Sequence, residues 1–201
     1  MRARDERLLL PGAARNLEVV VAAPEQARGL ALVAHPHPLY GGTLDNKVVQ
    51  TLARAFLAQH HVAVRMNFRG VGASDGVHDE GAGETEDWLT VAQAMRARYP
   101  GLPVTLAGFS FGAYVQTRVA VRLEHERLVL VGPAVNRFSV SEVRAGTLVI
   151  HGEEDDVVPL SAVLDWARPQ SLPVTVIPGT GHFFHGKLVE LARIVNHSCA
   201  C

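Results

Sequence analysis

The chain has 201 residues and a formal net charge of −1 at pH 7, and 48% of its residues are hydrophobic. A chain of this length suits a single domain, which buries roughly 70% of the surface that the unfolded chain exposes, so a full α/β core is expected. The near-zero charge and the absence of a long lysine or arginine run argue against nucleic acid and anionic membranes as partners. A small, weakly charged or neutral molecule is the expected ligand.

The N-terminal residues predict neither export nor a membrane span. The first seven are mostly charged, and the apolar residues 8–10 end at Pro11, which is too short for a signal peptide. No segment reaches the length of a membrane span. Cys199 and Cys201 are separated by one residue, where a mutual disulfide would be strained, and they indicate neither secretion nor a zinc site. We therefore expect a cytoplasmic protein.

Short strand-like runs alternate with longer helical patterns, as in parallel strands joined by crossover helices. The predicted strands span residues 7–10, 17–21, 30–34, 62–68, 104–107, 128–131, 148–150 and 174–177. The predicted helices span residues 46–59, 84–99, 111–122, 160–167 and 187–195. The turn-like Pro11-Gly12 is expected to join the first two strands, and residues 69–76 form a glycine-rich loop. The pattern predicts an α/β fold with a mostly parallel sheet.

The motif Gly108-Phe109-Ser110-Phe111-Gly112 lies between a predicted strand and a predicted helix. It holds Ser110 at a sharp strand-to-helix turn, where side chains two residues away on either side would collide with neighbouring backbone. Such a turn is where a nucleophilic hydroxyl is expected. The bare pattern arises by chance in roughly one chain in ten of this length, so an ordinary turn serine is the alternative and the context decides.

A nucleophilic serine needs a base within hydrogen-bond reach and a carboxylate that orients the base. The acidic residues 153–156 follow one predicted strand, and Gly179-Thr180-Gly181-His182 follows the next. Both loops are expected at the sheet edge where open α/β sheets bind ligands. Gly179 and Gly181 favour a backbone that brings His182 close, whereas the rival His185 is expected at the start of the last helix.

The chain order of serine, acid and histidine resembles the α/β-hydrolase superfamily over nearly the whole chain. Three segments are similar to a compact bacterial subgroup of predicted hydrolases with little or no lid: residues 34–43 with the sequence AHPHPLYGGT, residues 67–72 with NFRGVG, and residues 181–184 with GHFF. The resemblance implies an α/β-hydrolase fold, with helices on both faces of the sheet.

The resemblance also implies the roles of three residues. Ser110 would be the nucleophile, His182 the base and Asp155 the acid. Asp155 is favoured by the superfamily's His-Gly-x-x-Asp-x-x-x-Pro spacing, which begins here at His151. Asp156 and Glu154 are the alternatives for the acid, and the mechanism would be the same with either.

A tetrahedral intermediate of acyl transfer needs two N–H donors aimed at its oxyanion. Phe111, directly after the serine, is expected to supply one. The other is expected from the loop after the strand of residues 30–34, in which the prolines have no N–H. That leaves His37, Leu39 and Tyr40, of which superfamily geometry favours His37.

Two other ligand types are considered and not favoured. His35 and His37 could share a metal ion, but a third ligand at a recognisable spacing is missing. Gly70-Val71-Gly72 is not a dinucleotide fingerprint, because Asp75 replaces the third glycine and no helix begins there. We expect no metal and no cofactor.

Only residues 132–146 stand where the superfamily inserts a lid, and fifteen residues cannot form a helical cap of any size. The sequence therefore predicts a shallow, open cleft. Its expected apolar walls are Leu39, Tyr40, Phe111, Phe138, Phe183 and Phe184.

The leading hypothesis is a cofactor-free serine hydrolase, resembling a carboxylesterase or thioesterase, that cleaves a small ester or thioester through an acyl-enzyme. The same residues would serve a lactonase or a small amidase. A non-catalytic ligand-binding protein on this fold is the alternative from another class. A metal-dependent hydrolase is the third hypothesis.

Overall fold

The computed structural model of the protein describes residues 5–12 and 15–199, in which eight strands form one sheet. The strands are β1 (Asp5–Gly12), β2 (Arg15–Ala22), β3 (Gly29–Ala34), β4 (His61–Met66), β5 (Val104–Phe109), β6 (Arg127–Val131), β7 (Leu148–Gly152) and β8 (Val174–Ile177). The helices are α1 (Lys47–Ala58), α2 (Ala82–Arg98), α3 (Phe111–Arg122), α4 (Leu160–Ala167) and α5 (Leu188–Cys199). The predicted bounds of α3, α4 and β8 are confirmed to the residue.

The strands lie in the order β1-β2-β4-β3-β5-β6-β7-β8. The pairs β1–β2 and β2–β4 are antiparallel, and the other five pairs are parallel, which confirms the predicted mostly parallel sheet. Because the carboxyl ends of parallel strands share one edge, the loops that follow β3, β5, β6, β7 and β8 meet there. We call this edge the carboxyl edge.

Helices cover both faces of the sheet, as predicted. In β5, Val104 and Leu106 belong to a core cluster shared with α2 and α3, whereas Ala107 and Phe109 belong to a cluster shared with α1 and α5. The alternation follows from the opposite directions of successive side chains along a strand. Since both faces are covered, the whole of β5 is buried and its sequence is almost continuously apolar.

Two local predictions are wrong. Pro11 and Gly12 do not form the first turn; they end β1 and are paired with β2. Proline is tolerated there because β1 is an edge strand, and the connection to β2 falls at residues 13–14, outside the described residues. His185 does not begin the last helix, because α5 starts only at Leu188.

The last helix and the length of the helices bear on two further expectations, which concern the cysteines and a membrane span. Cys199 is the last residue of α5, and Cys201 lies outside the described residues. None of the helices in the described ranges combines the length and the apolar character that a membrane span requires.

Candidate active site

Ser110 occupies a strained turn between β5 and α3. Its φ of 57° and ψ of −117° are unusual for a residue with a side chain. A Cβ atom at Gly108 would lie 2.4 Å from the carbonyl oxygen of Gly112, and one at Gly112 would lie 2.4 Å from that of His35. The two glycines are therefore required by the close approach of backbone, as the sequence predicted.

The structure brings Ser110, His182 and Asp155 together at the carboxyl edge. His182 Nε2 lies 3.0 Å from Ser110 Oγ, and His182 Nδ1 lies 2.7 Å from Asp155 Oδ2. A carboxylate can only accept, so Nδ1 carries the proton and donates to Asp155, which leaves Nε2 to accept from the serine hydroxyl. All three residues are buried, and the ring of Phe109 packs 4.9 Å from the imidazole.

Of the four consecutive acidic residues, Asp155 is the one that reaches His182. Its other oxygen, Oδ1, accepts from the amides of Val157 at 3.0 Å and Val158 at 2.7 Å. Burial raises the pKa of Asp155, but the hydrogen bonds from His182 and Val158 and the nearby histidines outweigh burial and hold this pKa below its usual range. Asp155 is therefore ionised at neutral pH.

His151 contacts the same carboxylate, which sequence reasoning missed. Its Nε2 lies 2.9 Å from the carbonyl oxygen of Val158 and 3.4 Å from Asp155 Oδ2. Burial is the main cause that lowers the pKa of His151, so the ring is neutral and Nε2 is the donor. In the sequence, His151 served only as the first residue of the spacing that selected Asp155.

The loop that carries His182 is held against the end of β7. Glu154 donates its amide to the carbonyl oxygen of Thr180 at 2.9 Å, and a Cβ atom at Gly152 would lie 2.2 Å from that same oxygen. Gly179 has a φ of +59°, which favours glycine, whereas a Cβ atom at Gly181 would meet only one atom, at 3.7 Å. The close approach depends on Gly152, the turn depends on the positive φ of Gly179, and the expectation for Gly181 is wrong.

The backbone amides of Phe111 and His37 face no acceptor within the described part of the chain, and both residues line the same cavity as Ser110. The other two candidate donors are engaged in a short turn. Leu39 donates its amide to His37 Nδ1 at 3.3 Å, and Tyr40 donates its amide to the carbonyl oxygen of His37 at 3.2 Å.

The cavity beside Ser110 has a volume of about 360 Å³. Four of the predicted apolar residues line it: Tyr40, Phe111, Phe138 and Phe183. Phe138 is fixed by stacking on the ring of Tyr114, with centroids 4.7 Å apart. A larger groove, of about 570 Å³, lies between α1 and α5 and does not include Ser110.

Two predicted wall residues do not line the cavity. Leu39 is 71% exposed on the short helical turn Pro38–Tyr40 and is not among the residues that line the cavity. Phe184 has a φ of 53°, which turns its side chain into the core cluster under α1 and α5. Both assignments are therefore wrong.

Two polar residues that line the cavity were also missed. Asn46 caps α1 by accepting from the amides of Val48 and Val49. Arg137 follows β6, and its guanidinium carbon lies 5.6 Å from the centre of the Tyr40 ring. The only sequence signal for Arg137 was its position next to Phe138.

His35 does not fit the metal site that was considered for it. Its Nδ1 lies 2.6 Å from the carbonyl oxygen of Pro36, and its Nε2 accepts from the amide of Phe68 at 2.9 Å, so both ring nitrogens are engaged. Burial lowers the pKa of His35 to about 3. Over residues 5–12 and 15–199, no group of three histidine, cysteine or acidic side chains is arranged to hold a metal ion.

Comparison with known proteins gives consistent matches. The family model of the serine aminopeptidases, S33, matches residues 41–138. The uncharacterized protein RP471 of Rickettsia prowazekii is 31% identical over 182 residues, which cover 83% of this chain and 76% of that protein.

Two solved structures are similar over almost their whole length. An alpha-beta serine hydrolase homologue from Coxiella burnetii is 38% identical, with a TM-score of 0.92 and 97% of each chain covered. XC6422 from Xanthomonas campestris, described as an α/β serine hydrolase without a lid, is 39% identical, with a TM-score of 0.92, and the match covers 98% of this chain and 94% of that one.

Proposed function

Because this chain belongs to the compact α/β serine hydrolases without a lid, we propose that it cleaves small carboxylic esters or thioesters through an acyl-enzyme. We further propose that it acts in the cytoplasm. The observation that carries the proposed activity is the hydrogen-bonded series from Asp155 through His182 to Ser110, with distances of 2.7 Å and 3.0 Å. A serine hydroxyl is a weak nucleophile by itself, and this series supplies the base and the group that orients the base.

In the proposed reaction, Ser110 Oγ attacks the carbonyl carbon of the substrate while its proton passes to His182 Nε2. The intermediate collapses, and the alcohol or thiol leaves with that proton, so that the acyl group remains as an ester of Ser110. A water molecule then gives a proton to His182 and attacks the acyl-enzyme, and the carboxylic acid is released as His182 returns that proton to Ser110 Oγ. Ionised Asp155 stabilises the imidazolium in both halves of the cycle.

The amides of Phe111 and His37 are the proposed oxyanion donors. Each lines the cavity of Ser110 and has no acceptor within the described residues. His37 is followed by a proline and a turn whose amides bond back to it, so its position is fixed before a substrate arrives. Donors that are aligned in advance stabilise the transition state without a cost of reorganisation.

The proposed preference for a small acyl group follows from the open cavity. The residues between β6 and β7 contain neither helix nor strand, so no helical cap covers Ser110 in the described chain. A long alkyl chain would remain partly in water because only a few aromatic side chains line the site.

A fluorophosphonate probe tests the proposed function. We expect a covalent adduct on Ser110, detected by mass spectrometry of the digested protein, and no adduct in the Ser110→Ala variant. Esters and thioesters of graded acyl length should be cleaved with a preference for short chains. A folded protein that forms no adduct and cleaves no ester would instead favour the ligand-binding alternative, and a preference for long chains would contradict the argument from the open cavity.

A further inference from the structure

The wall of the active-site cavity has an uneven distribution of charge. It includes one arginine, Arg137, and no aspartate or glutamate is among the described residues that line it. The cavity is otherwise apolar or neutral apart from the imidazoles of His37 and His182. A bound group next to Arg137 would therefore meet a positive charge without a competing carboxylate.

Arg137 is held at the cavity but is not neutralised. Its guanidinium lies over the Tyr40 ring, 5.6 Å from the ring centre. This contact joins the loop after β6 to the loop after β3. Among the described carboxylates, none lies within 4.0 Å of Arg137, whereas Arg65, Arg69 and Arg122 each have such a partner. The hydrogen-bonding capacity of the guanidinium is thus available to a ligand.

Asn46 adds a neutral donor to the same wall. Its Oδ1 faces α1, where it accepts from the amide of Val48 at 2.9 Å and from that of Val49 at 3.4 Å. The side-chain NH₂ therefore points away from the helix cap, and no hydrogen bond of the described residues uses it. Arg137 and the side-chain NH₂ of Asn46 can therefore both donate to a bound group.

Three acidic residues around the site are already engaged with other groups. Asp155 is bound to His182, and Glu153 accepts from the amide of Gly179 at 2.9 Å. Glu84, which acts electrostatically on His37, is fully buried and accepts from His78 and two backbone amides. None of these carboxylates lines the cavity, so they do not cancel the charge of Arg137 there.

We propose that the substrate carries a carboxylate apart from its scissile carbonyl, and that Arg137, assisted by Asn46, binds it and so determines specificity. A single guanidinium with one amide donor suits a singly charged carboxylate better than a doubly charged phosphate. The inference rests on the proposed hydrolase function and names its substrate class. The carboxylate can belong to the acyl group or to the alcohol.

Two matched pairs of esters distinguish these sources. Mono-4-nitrophenyl adipate is compared with its methyl ester for the acyl side, and 4-butyryloxybenzoate with its methyl ester for the alcohol side. We expect kcat/KM to be about 10-fold higher for the free carboxylate than for the methyl ester in one pair. This factor is at the low end of the range for a hydrogen bond to a charged group, because Arg137 is exposed. The preference should shrink at high salt, since exposed charges are screened.

Variants at Arg137 separate charge recognition from a structural effect. In Arg137→Gln, the loss of kcat/KM for the free carboxylate should exceed the loss for its methyl ester by about 10-fold, mainly through KM. Arg137→Lys should retain part of the preference, and Arg137→Glu should reverse it. The control is Arg28→Gln, because Arg28 is exposed and precedes β3 at the opposite edge of the sheet.

Equal kcat/KM within both pairs, or equal losses for both members in Arg137→Gln, would overturn the inference while leaving the proposed function intact. Calorimetric binding of monomethyl adipate to Ser110→Ala decides the case without turnover. 4-Butyryloxybenzoate is measured in the same way for the alcohol side. In one of the two pairs the free carboxylate should bind at least about 10-fold more tightly than its methyl ester, and adding Arg137→Gln should remove this difference. Equal binding within both pairs would refute carboxylate recognition even if no ester were cleaved.

Discussion

Ser110 and Ser74 are both buried, with 8% and 6% of their surfaces exposed, but their hydroxyls have different surroundings. Ser74 Oγ donates to the carbonyl oxygen of Asn67 at 2.7 Å and accepts from the amide of Glu18 at 2.9 Å. Ser110 Oγ has one described partner, His182, and its backbone is strained. The hydroxyl of Ser74 both donates and accepts a hydrogen bond within the fold, whereas the hydroxyl of Ser110 is oriented by His182 alone.

The same difference extends to the regions around the two serines. Near Ser74, Glu18 Oε2 accepts from Asn67 Nδ2 at 2.7 Å and from the amide of Ala73 at 2.8 Å. Near Ser110, the amides of Phe111 and His37 lack acceptors in the described chain. Buried polar groups are normally satisfied because an unmade hydrogen bond costs about 1–3 kcal/mol. Groups that are fixed in position but unsatisfied therefore distinguish the candidate site from the structural region.

The largest expected effect comes from replacing each serine by alanine. Ser110→Ala should lower kcat by about 10⁴-fold or more, because the nucleophile is lost, while the free energy of unfolding changes by less than about 1 kcal/mol. Ser74→Ala should lower that free energy by about 1–3 kcal/mol and leave kcat per folded molecule near the wild-type value. Ester hydrolysis and urea unfolding measure the two effects. Similar changes of kcat in both variants would contradict the distinction between a catalytic Ser110 and a structural Ser74.

The buried carboxylates of Asp155 and Asp87 allow the same comparison between a candidate site residue and a structural residue. Asp155→Asn should lower kcat by about 10³–10⁴-fold, since an amide does not stabilise the imidazolium and permits the wrong tautomer of His182. Asp87 accepts from Arg69 Nε at 2.8 Å and from Nη2 at 2.9 Å, away from the cavity.

Asp87→Asn, which removes the charge opposite Arg69, should lower the free energy of unfolding by about 3 kcal/mol. Its kcat per folded molecule should stay close to that of the wild type. Rates corrected for the folded fraction distinguish the two variants. A stability loss in Asp155→Asn with unchanged kcat would place Asp155 among the structural carboxylates.

The sequence predicted the strand-to-helix turn well because its requirements are local. Gly108 and Gly112 are needed by atoms within a few residues of Ser110 and by the end of β3, and strand alternation is sufficient to indicate that geometry. The start of α3 at Phe111 follows from the same turn. The choice of Asp155 among four acids needed the superfamily spacing, because composition does not say which carboxylate points inward.

The lining of the cavity was harder to predict because loop residues follow no period. Phe183 and Phe184 are adjacent and equally apolar, yet a φ of 53° at Phe184 places one at the cavity and the other in the core. Leu39 was misjudged and Arg137 was missed for the same reason, since hydrophobicity alone favours leucine over arginine as a wall residue. The orientation of each loop depends on tertiary contacts such as the packing of Arg137 on Tyr40.

The smallest expected effect is the pH dependence of stability that comes from His35. This buried histidine has both ring nitrogens hydrogen-bonded to backbone, whereas His182 faces Ser110. Its pKa is about 3 in the folded protein and 6.5 in the reference state, so between these values only the unfolded chain binds the proton. Stability therefore falls as the pH decreases through 6.5, and the loss from this group between pH 7 and pH 5 is about 2 kcal/mol.

His35→Gln tests this contribution because glutamine keeps a donor and an acceptor but does not titrate. The variant should be somewhat less stable than the wild type at pH 8, and its free energy of unfolding should fall by about 2 kcal/mol less between pH 7 and pH 5. Urea unfolding at four pH values between 5 and 8 measures both curves, and the other buried histidines contribute equally to each. Parallel curves would mean that His35 takes up the proton in the folded state as readily as in the unfolded state. Engagement of both ring nitrogens by backbone would then not keep a buried histidine neutral, and His35 would no longer differ from His182 in this respect.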